Sequence, residues 1–186
     1  MFLMNQLCSQ ELRVSMDYGY AIAEMKDLKK IMLQTGIKAG VEFRLEKNYV
    51  LVISTGGSLL QHSYSGGSIF NRKYFLTIPV SIKRYYPFSK RSAGFVDAGI
   101  YAANGFLDKK EIRSMGSTLI DKHRDLGWNG GLVLCFGFKT MITPSVSVDI
   151  GLQGQKDLIS SYKLEENKIK TERTSLVISF YKNLGR

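Results

Sequence analysis

Eight stretches of the chain alternate apolar and polar side chains, and this period of two constrains the fold more than any other feature. The clearest stretch, 146–153, reads VSVDIGLQ. A period of two places successive side chains on opposite faces of a β-strand. The stretches are about ten residues long, which exceeds most strands of small soluble sheets but suits a tilted crossing of a lipid bilayer. The pattern therefore predicts strands that span a membrane.

The connections between these stretches alternate in length. We predict strands at residues 11–23, 35–45, 49–62, 73–86, 93–106, 126–140, 145–157 and 173–184. The short connections are 46–48, 87–92 and 142–144, and the long ones are 24–34, 63–72, 107–125 and 158–172. Outer-membrane barrels have short periplasmic turns and longer outer loops. The prediction is an all-β, eight-stranded antiparallel up-and-down transmembrane β-barrel of the bacterial outer membrane, with both termini periplasmic.

The length of 186 residues corresponds to one domain, which we place at residues 11–186. We interpret residues 1–10 as the remnant of a secretory signal peptide, because an apolar start is followed by small and polar residues. The alternative is an N-terminal segment without fixed structure. No run of 18 apolar residues occurs, which excludes a transmembrane helix. Two cysteines, Cys8 and Cys135, define no disulfide framework.

Packing decides which face of the strands points into the barrel. An eight-stranded barrel has an interior just wide enough for side chains, so bulky residues from every strand would overfill it. The face opposite the apolar one is rich in Gly and Ser, which suit a narrow space. We therefore expect the apolar face to point outward into lipid. The alternative is a soluble barrel whose charged face is in water.

The predicted inner face also carries charges of both signs. We expect them to form an ionic network in the lumen, made of Arg13, Asp17, Lys38, Glu42, Arg44, Lys83, Asp97, Lys139 and Asp149. An unpaired buried charge is costly, so the two signs should pair. The sequence thus predicts a largely filled, ion-paired lumen.

Aromatic residues fall near both ends of the outward faces. Tyr20, Tyr74, Phe106 and Trp128 lie near the long connections, and Tyr49, Tyr86, Phe138 and Phe180 lie near the short ones. Two aromatic belts that flank an aliphatic band are typical of membrane barrels. Pro79 lies inside the fourth strand, where it removes a donor of the backbone ladder, so we expect a bulge or a local break there.

Three segments carry a resemblance to a known family. They are 76–83 (LTIPVSIK), 94–101 (GFVDAGIY) and 127–131 (GWNGG). Over residues 12–184 the chain resembles the Bacteroidetes-type outer-membrane β-barrel family, the PorT-like group of the porin family, whose architecture is similar to that of small OmpA and OmpX barrels. The resemblance implies the same fold. It implies no catalytic residues, because members of the family share none and differ in role.

The residues offer little chemistry for catalysis or for a bound group. A lipid-modifying hydrolase needs a serine, a histidine and an orienting acid, and here only His62 with Ser58 or Tyr64 would share a strand face. The two histidines lie far apart and no acidic cluster accompanies them, so we predict no metal and no cofactor. The basic residues form no stripe with interleaved aromatics, so we predict no nucleic-acid partner.

Three functions remain open at this point. The first is a non-enzymatic structural or interaction barrel of the outer membrane, including a subunit of a larger complex. The second is a narrow channel for small solutes, and the third is the hydrolase. As partners we expect glycolipid head groups at the long connections, or another outer-membrane or periplasmic protein. The basic residues concerned are Lys26, Lys29, Lys30, Arg72, Lys73, Lys109, Lys110, Arg113, Lys122, Arg124, Lys163, Lys168 and Lys170. The alternative is that these side chains are simply solvated.

Overall fold

The computed structural model describes residues 10–25, 28–64, 69–114, 117–161, 163–164, 167–168 and 170–184. Its strands are β1 Gln10–Met25, β2 Leu28–Arg44, β3 Tyr49–Tyr64, β4 Ile69–Pro87, β5 Ser92–Ser114, β6 Ser117–Thr143, β7 Val146–Ser160, β8 Lys163–Leu164, β9 Asn167–Lys168 and β10 Lys170–Asn183. Strands β8 and β9 pair only with each other, as a two-stranded ribbon. Among the described residues, no helix is long and apolar enough to cross a membrane.

The other eight strands form one closed barrel in the order β1-β10-β7-β6-β5-β4-β3-β2, and every neighbouring pair is antiparallel. Because β1 pairs with both β2 and β10, the sheet has no free edge. The predicted all-β, eight-stranded antiparallel fold is confirmed. We call the end with the turns at 45–48, 88–91 and 144–145 the turn end, and the opposite end the hairpin end. Both described chain ends, Gln10 and Leu184, lie at the turn end.

Burial alternates along the strands as the period of two predicts. On β7, Ser147, Asp149 and Gln153 are buried, whereas Ile150 and Leu152 between them are about half exposed. Large apolar side chains are exposed in the same way on the outward face of every strand of the barrel. Water does not tolerate a continuous apolar belt of this size, so the outward face requires lipid. The inside–outside assignment from packing agrees with the structure.

The long connections, by contrast, were predicted wrongly. The predicted loop 107–125 is an extended hairpin, in which β5 runs to Ser114 and β6 begins at Ser117. Similarly, β1 and β2 extend to Met25 and from Leu28, and β4 begins at Ile69. His123 therefore lies on a strand, opposite Asp108, and not in a loop. The interpretation of residues 1–10 as a signal remnant concerns residues outside the described part of the chain, except Gln10, which begins β1.

The physical reason is that hydrogen-bonded pairing and apolar alternation are separate properties. Inside the bilayer one face of each strand must be apolar, so the sequence alternates. Beyond the bilayer both faces meet water, and the ladder continues without any need for apolar side chains. Sequence periodicity therefore locates the segment in lipid but underestimates the length of the strand.

Pro79 interrupts one ladder without changing its register. Pairing between β3 and β4 stops after Ile53 opposite Val80 and resumes at Gly56 opposite Thr77, in the same register. On the other side Pro79 pairs normally with Tyr101 of β5. The predicted local break is thus present, and the missing N–H faces β3.

Register shifts occur elsewhere: the β6–β7 pairing shifts at two places, and the pairing of β4, β5 and β6 shifts near the hairpin end. The pairing shifts between Tyr74 and Phe75 on one side of β5, and between Gly105 and Leu107 on the other. Gly127 on β6 has a φ of 96°, a conformation that glycine adopts without a steric cost. The bulge expels Phe106 from the ladder to the outer surface, where its side chain is exposed.

The extended hairpin makes a prediction for hydrogen exchange. In the folded protein in detergent micelles, the backbone amides of 107–114 and 117–124 should exchange far more slowly than unstructured amides, because they lie in a β-ladder. Exchange followed by proteolysis and mass spectrometry measures this, with the turn 88–91 as an internal reference for weakly protected chain. Exchange as fast as in that turn would show that the segment is a loop.

Candidate functional site

The centre of the lumen is organised around one lysine. The side chain of Lys83 on β4 is fully buried, and its Nζ lies 2.6 Å from Oε1 of Glu42 and 3.1 Å from Oδ2 of Asp149. Nζ also donates to the hydroxyl of Tyr181 at 2.8 Å. The ammonium group additionally lies 4.7 Å from the centre of the Phe95 ring. These groups satisfy the three donors of the ammonium, as a buried cation requires.

These contacts cross the whole barrel. In the closed order of strands, β4 and β10 are separated by three strands on either side, so Lys83 reaches the diametrically opposite wall at Tyr181. Glu42 comes from β2 and Asp149 from β7. Side chains from four separate strands thus contact one another inside the lumen at this level.

A second lysine, Lys139, lies closer to the turn end. Nζ of Lys139 on β6 forms an ion pair with Glu11 on β1 and lies 3.8 Å from Oε2 of Glu42. It also lies 3.9 Å from the centre of the Tyr181 ring. The hydroxyl of Tyr85 donates to Glu42 at 2.9 Å. Tyr85 and Tyr181 therefore link the two lysines into one connected network, which we call the lower layer.

Three further predicted charges, Lys38, Asp17 and Arg13, lie beside this layer. Nζ of Lys38 lies 3.2 Å from Oδ1 of Asp17, whose Oδ2 accepts a hydrogen bond of 2.8 Å from Gln34. The absence of a side chain at Gly36, opposite Asp17 on β2, provides the space, because a Cβ there would lie 2.5 Å from the carboxylate. Arg13 donates to Oγ of Ser179 at 3.1 Å.

The remaining two predicted members are placed differently. Asp97 is buried, but its Oδ1 has no hydrogen-bond partner, and no cation of the described residues lies within 4 Å of its carboxylate. Arg44 is exposed, at a shallow pocket of the turn end that Glu11, Glu42 and Lys139 also line. The structure thus brings Lys38, Lys83 and Lys139 together with carboxylates and leaves Asp97 and Arg44 outside these pairs.

A second transverse layer, which the charge pattern of the sequence does not predict, lies nearer the hairpin end. Oδ2 of Asp157 accepts hydrogen bonds of 2.8 Å from Asn129 and from the backbone N–H and hydroxyl of Thr171. The hydroxyl of Tyr101 donates to the other carboxylate oxygen. We call this group, together with the pair described next, the upper layer.

The pair is a cation–π contact across the barrel. The guanidinium of Arg173 on β10 lies 5.0 Å from the centre of the Phe75 ring on β4, again on opposite walls. Phe75 belongs to a cluster of buried apolar side chains in this part of the lumen, formed by Ala21, Ala23, Met32, Leu60, Phe75, Tyr101, Ala103, Leu126 and Val133. Residue parity alone could have located Asp157, Arg173 and Tyr181, since they continue the alternation of Asp149 and Ser179.

All eight predicted belt aromatics lie on outward faces. Tyr74 and Phe106 contact each other with ring centres 6.2 Å apart, next to the bulge at the hairpin end. At the turn end, the Arg84 guanidinium lies between Tyr49 and Tyr86, at 5.2 and 5.0 Å from their ring centres. Tyr20, Trp128, Phe138 and Phe180 are exposed as the outward assignment requires.

Outside the belt at the hairpin end, cations crowd around one carboxylate. Nη2 of Arg113 lies 2.8 Å from Oε1 of Glu111, while Lys109 and Arg72 lie 3.6 and 3.8 Å from Oε2. The hydrogen bond from Arg113 is the largest cause that lowers the pKa of Glu111, and the charges of Lys109 and Arg72 lower it further. Glu111 therefore stays ionised, and the cations around it remain in excess.

Ser58 and His62, which share a strand face, do not form the hydrogen-bonded pair that a hydrolase requires. Ser58 and His62 share a face of β3, but four residues of a strand separate them by about 13 Å. Nδ1 of His62 lies 2.5 Å from the carbonyl oxygen of Ile31. No group of three or more His, Cys, Asp or Glu side chains within the described part of the chain could hold a metal ion.

Comparisons with known proteins bear on the fold. No protein-family model and no curated protein matches the chain. The chain is similar to Neisserial surface protein A, with 15% identity over 90% of this chain and 95% of that chain and a TM-score of 0.53. It is similar to the outer-membrane protein OprG from Pseudomonas aeruginosa, with 11% identity over 95% and 96% and a TM-score of 0.53. The outer-membrane protease OmpT from Escherichia coli has 9% identity over 96% and 97%, with a TM-score of 0.47.

The chain thus has the fold of an eight-stranded transmembrane β-barrel of the outer-membrane type. At these identities the likeness shows the fold alone. It does not show the Bacteroidetes PorT-like family that the sequence resembles, because no family model matches. The fold is shared by proteins of different function, so function must be argued from the lumen and the surface of this chain.

Removal of Lys83 should destabilise the barrel strongly. Lys83→Ala leaves Glu42 and Asp149 buried without their shared cation, at a cost of about 3–5 kcal/mol in the free energy of unfolding. Urea unfolding in micelles measures this, with fluorescence of Trp128, the single tryptophan, as the signal. The matched control is Lys156→Ala, because Lys156 pairs with Glu172 at the exposed rim and should cost less than about 1 kcal/mol. Equal effects of the two variants would contradict the role of the lower layer.

Asp97 should behave in the opposite way. Asp97→Asn keeps the shape of the side chain and removes a charge that has no cation within 4 Å, so the folded state loses no ion pair. We expect a much smaller loss of stability than for Lys83→Ala, in the same urea experiment. A loss as large as that of Lys83→Ala would place Asp97 in the network after all.

Proposed function

We propose that the protein is an integral barrel of the bacterial outer membrane that acts as a structural or interaction component and does not conduct solutes. The observation that carries this proposal is the contact of Lys83 with the opposite wall of the barrel at Tyr181. An eight-stranded barrel leaves little open cross-section. Here a charged network centred on the fully buried Lys83 crosses the lumen, and a second layer around Arg173 and Phe75 repeats the obstruction.

The proposal includes an orientation. The turns at 45–48, 88–91 and 144–145 are short, and the hairpins at the other end are extended. Outer-membrane barrels have their short turns in the periplasm, which would place both termini there and the hairpin end outside the cell. The resemblance to the PorT-like group is compatible with this arrangement. Such a barrel can contact partners through its outer wall and its extended hairpins. It could in this way be a subunit of a larger complex.

A narrow channel is the second candidate function. It is favoured by the many polar side chains that line the lumen, among them Gln34, Gln153 and Gln155. For conduction the contacts around Lys83 would have to open, and the buried carboxylates of Glu42 and Asp149 would then lose their counter-ion. Such an opening costs several kcal/mol. The closed, non-enzymatic barrel therefore accounts better for the geometry.

Conductance of the purified protein distinguishes the two candidates. Reconstituted in a planar bilayer, the wild-type barrel should give no discrete single-channel steps at voltages that leave the membrane intact. The variant Lys83→Ala with Tyr181→Ala removes the lower layer and tests whether the upper layer closes the lumen alone. Stable, uniform conductance steps from the wild-type protein would contradict the proposal and support the channel.

A further inference from the structure

A row of three cations crosses neighbouring strands on the outer surface, just beyond the aromatic belt. Arg72 on β4 lies directly opposite Lys109 on β5, which lies directly opposite Lys122 on β6. Residues opposite each other in antiparallel strands have Cα atoms about 4.5–5.5 Å apart, and like charges in these positions destabilise a sheet. The row therefore lowers the stability of the sheet, and the fold itself does not require it.

The surroundings of the row increase its positive charge. Arg113 and Arg124 lie on the same face, where Arg124 is opposite Leu107 in the next row towards the lipid. Among the side chains described on this face, the single carboxylate is Glu111, which the cations already surround. We call Arg72, Lys109, Arg113, Lys122 and Arg124 the basic patch.

The excess of positive charge is local, as the charges on other strands of the rim show. There, Glu24 on β1 is opposite Lys29 on β2 and pairs with it at 2.7 Å. In the same way, Glu172 on β10 is opposite Lys156 on β7 and pairs with it at 2.5 Å. These positions of the rim carry opposite charges one to one, whereas the five cations of the basic patch share one carboxylate, that of Glu111.

The depth of the basic patch matches that of lipid head groups. Arg72 lies two residues along β4 from the belt residue Tyr74, a rise of about 7 Å. Tyr74 and Phe106 form the aromatic contact directly below. Interfacial aromatics mark the level of the head groups, so the patch faces the phosphates of a lipid and not its acyl chains.

A groove in the lipid-facing surface begins at the same aromatic pair. It is lined by Thr35, Ile37, Gly57, Leu59, Tyr74 and Phe106. Gly57 faces outward, and a Cβ added there would meet only the carbonyl oxygen of Phe75, at 4.0 Å. The groove thus exists because this position has no side chain. The groove is lined mainly by apolar side chains and lies on the lipid-facing surface.

We propose that the basic patch and the groove together form a binding site for an acylated, phosphate-bearing lipid of the leaflet at the hairpin end. Arg72 and Arg113 can each hold a phosphate through two parallel N–H donors, and Lys109 and Lys122 add charge. The groove holds an acyl chain below the head group. Bound phosphate relieves the repulsion within the row, which gives the site a physical reason to prefer an anion. The inference rests on the proposed membrane location, but not on the closed lumen.

The test measures lipid affinity of the folded barrel in a neutral detergent by native mass spectrometry. The probe is a bis-phosphorylated, acylated glucosamine disaccharide, and the comparison lipid is the same molecule without phosphate. Wild-type protein should bind the phosphorylated probe at least about tenfold more tightly, and added salt should reduce this preference. Equal affinity for both lipids would overturn the proposal.

Charge-matched variants separate the patch from the net charge of the protein. Arg72→Gln with Lys109→Gln and Lys122→Gln should weaken binding of the phosphorylated probe at least about tenfold. The control, Lys29→Gln with Lys156→Gln and Lys170→Gln, removes the same charge from the opposite side of the rim and should keep most of the affinity. Equal losses in both variants, or no loss in the first, would overturn the proposal. Heat-modifiable electrophoretic mobility verifies that both variants are folded.

The groove has its own matched pair of variants. Gly57→Leu fills the groove and should lower the affinity for the acylated probe. Gly154→Leu places the same side chain at another outward glycine with open space around it, and should leave the affinity unchanged. If the two variants bind the probe equally well, the acyl part of the proposal is wrong. If millimolar inorganic phosphate displaces the probe completely, the site binds free phosphate and the lipid assignment is wrong. Neither result depends on whether the barrel conducts.

Discussion

The hydrogen-bonded closure of β1 onto β10 is the constraint on which the rest of the structure depends. A bilayer offers no water to an unpaired backbone N–H or C=O, so a sheet can span it only as a closed barrel. Pairing from Glu11 opposite Asn183 to Glu24 opposite Lys170 satisfies this last edge. Closure with eight strands then fixes the width of the lumen, and the width determines which side chains meet inside it.

The cross-lumen contacts follow from that narrow width. Lys83 reaches Tyr181 on the opposite wall, and Arg173 reaches Phe75 in the same way, because both pairs of strands face each other across a short diameter. The register of the strands is tied to these contacts, since a slip of one residue would turn every inner charge towards lipid. We therefore expect the buried ionic network to favour one register, and under the proposed function it also closes the lumen.

The sequence pattern predicts the strand segments that lie in the bilayer, but it does not predict their extensions into water. The alternation located all eight strands and both of their faces, because within the bilayer the outward face of each strand has to be apolar. It missed the extension of β5 to Ser114 and of β6 from Ser117, where no face has to be apolar. Within the lumen, charge alone could not distinguish Lys83 from Arg44. The first lies mid-strand on the axis, and the second lies at the exposed mouth, a difference that depends on the stagger of the strands.

Charges on the outer surface need not be paired, whereas the lysines of the lower layer in the lumen are. Inside, each lysine of the lower layer has a carboxylate within 4 Å, because burial makes an unpaired charge too costly. At the rim, water and salt screen charges, so pairing is optional and the repulsion in the row of Arg72, Lys109 and Lys122 can persist. Neither closure nor the lumen requires this row, and Glu111 is the carboxylate that pairs with Arg72 and Lys109 among the side chains described on this face. Under the proposal, a lipid phosphate supplies the further counter-charge. Within a membrane, an anionic head group is the partner that both the sign of the charge and its depth favour.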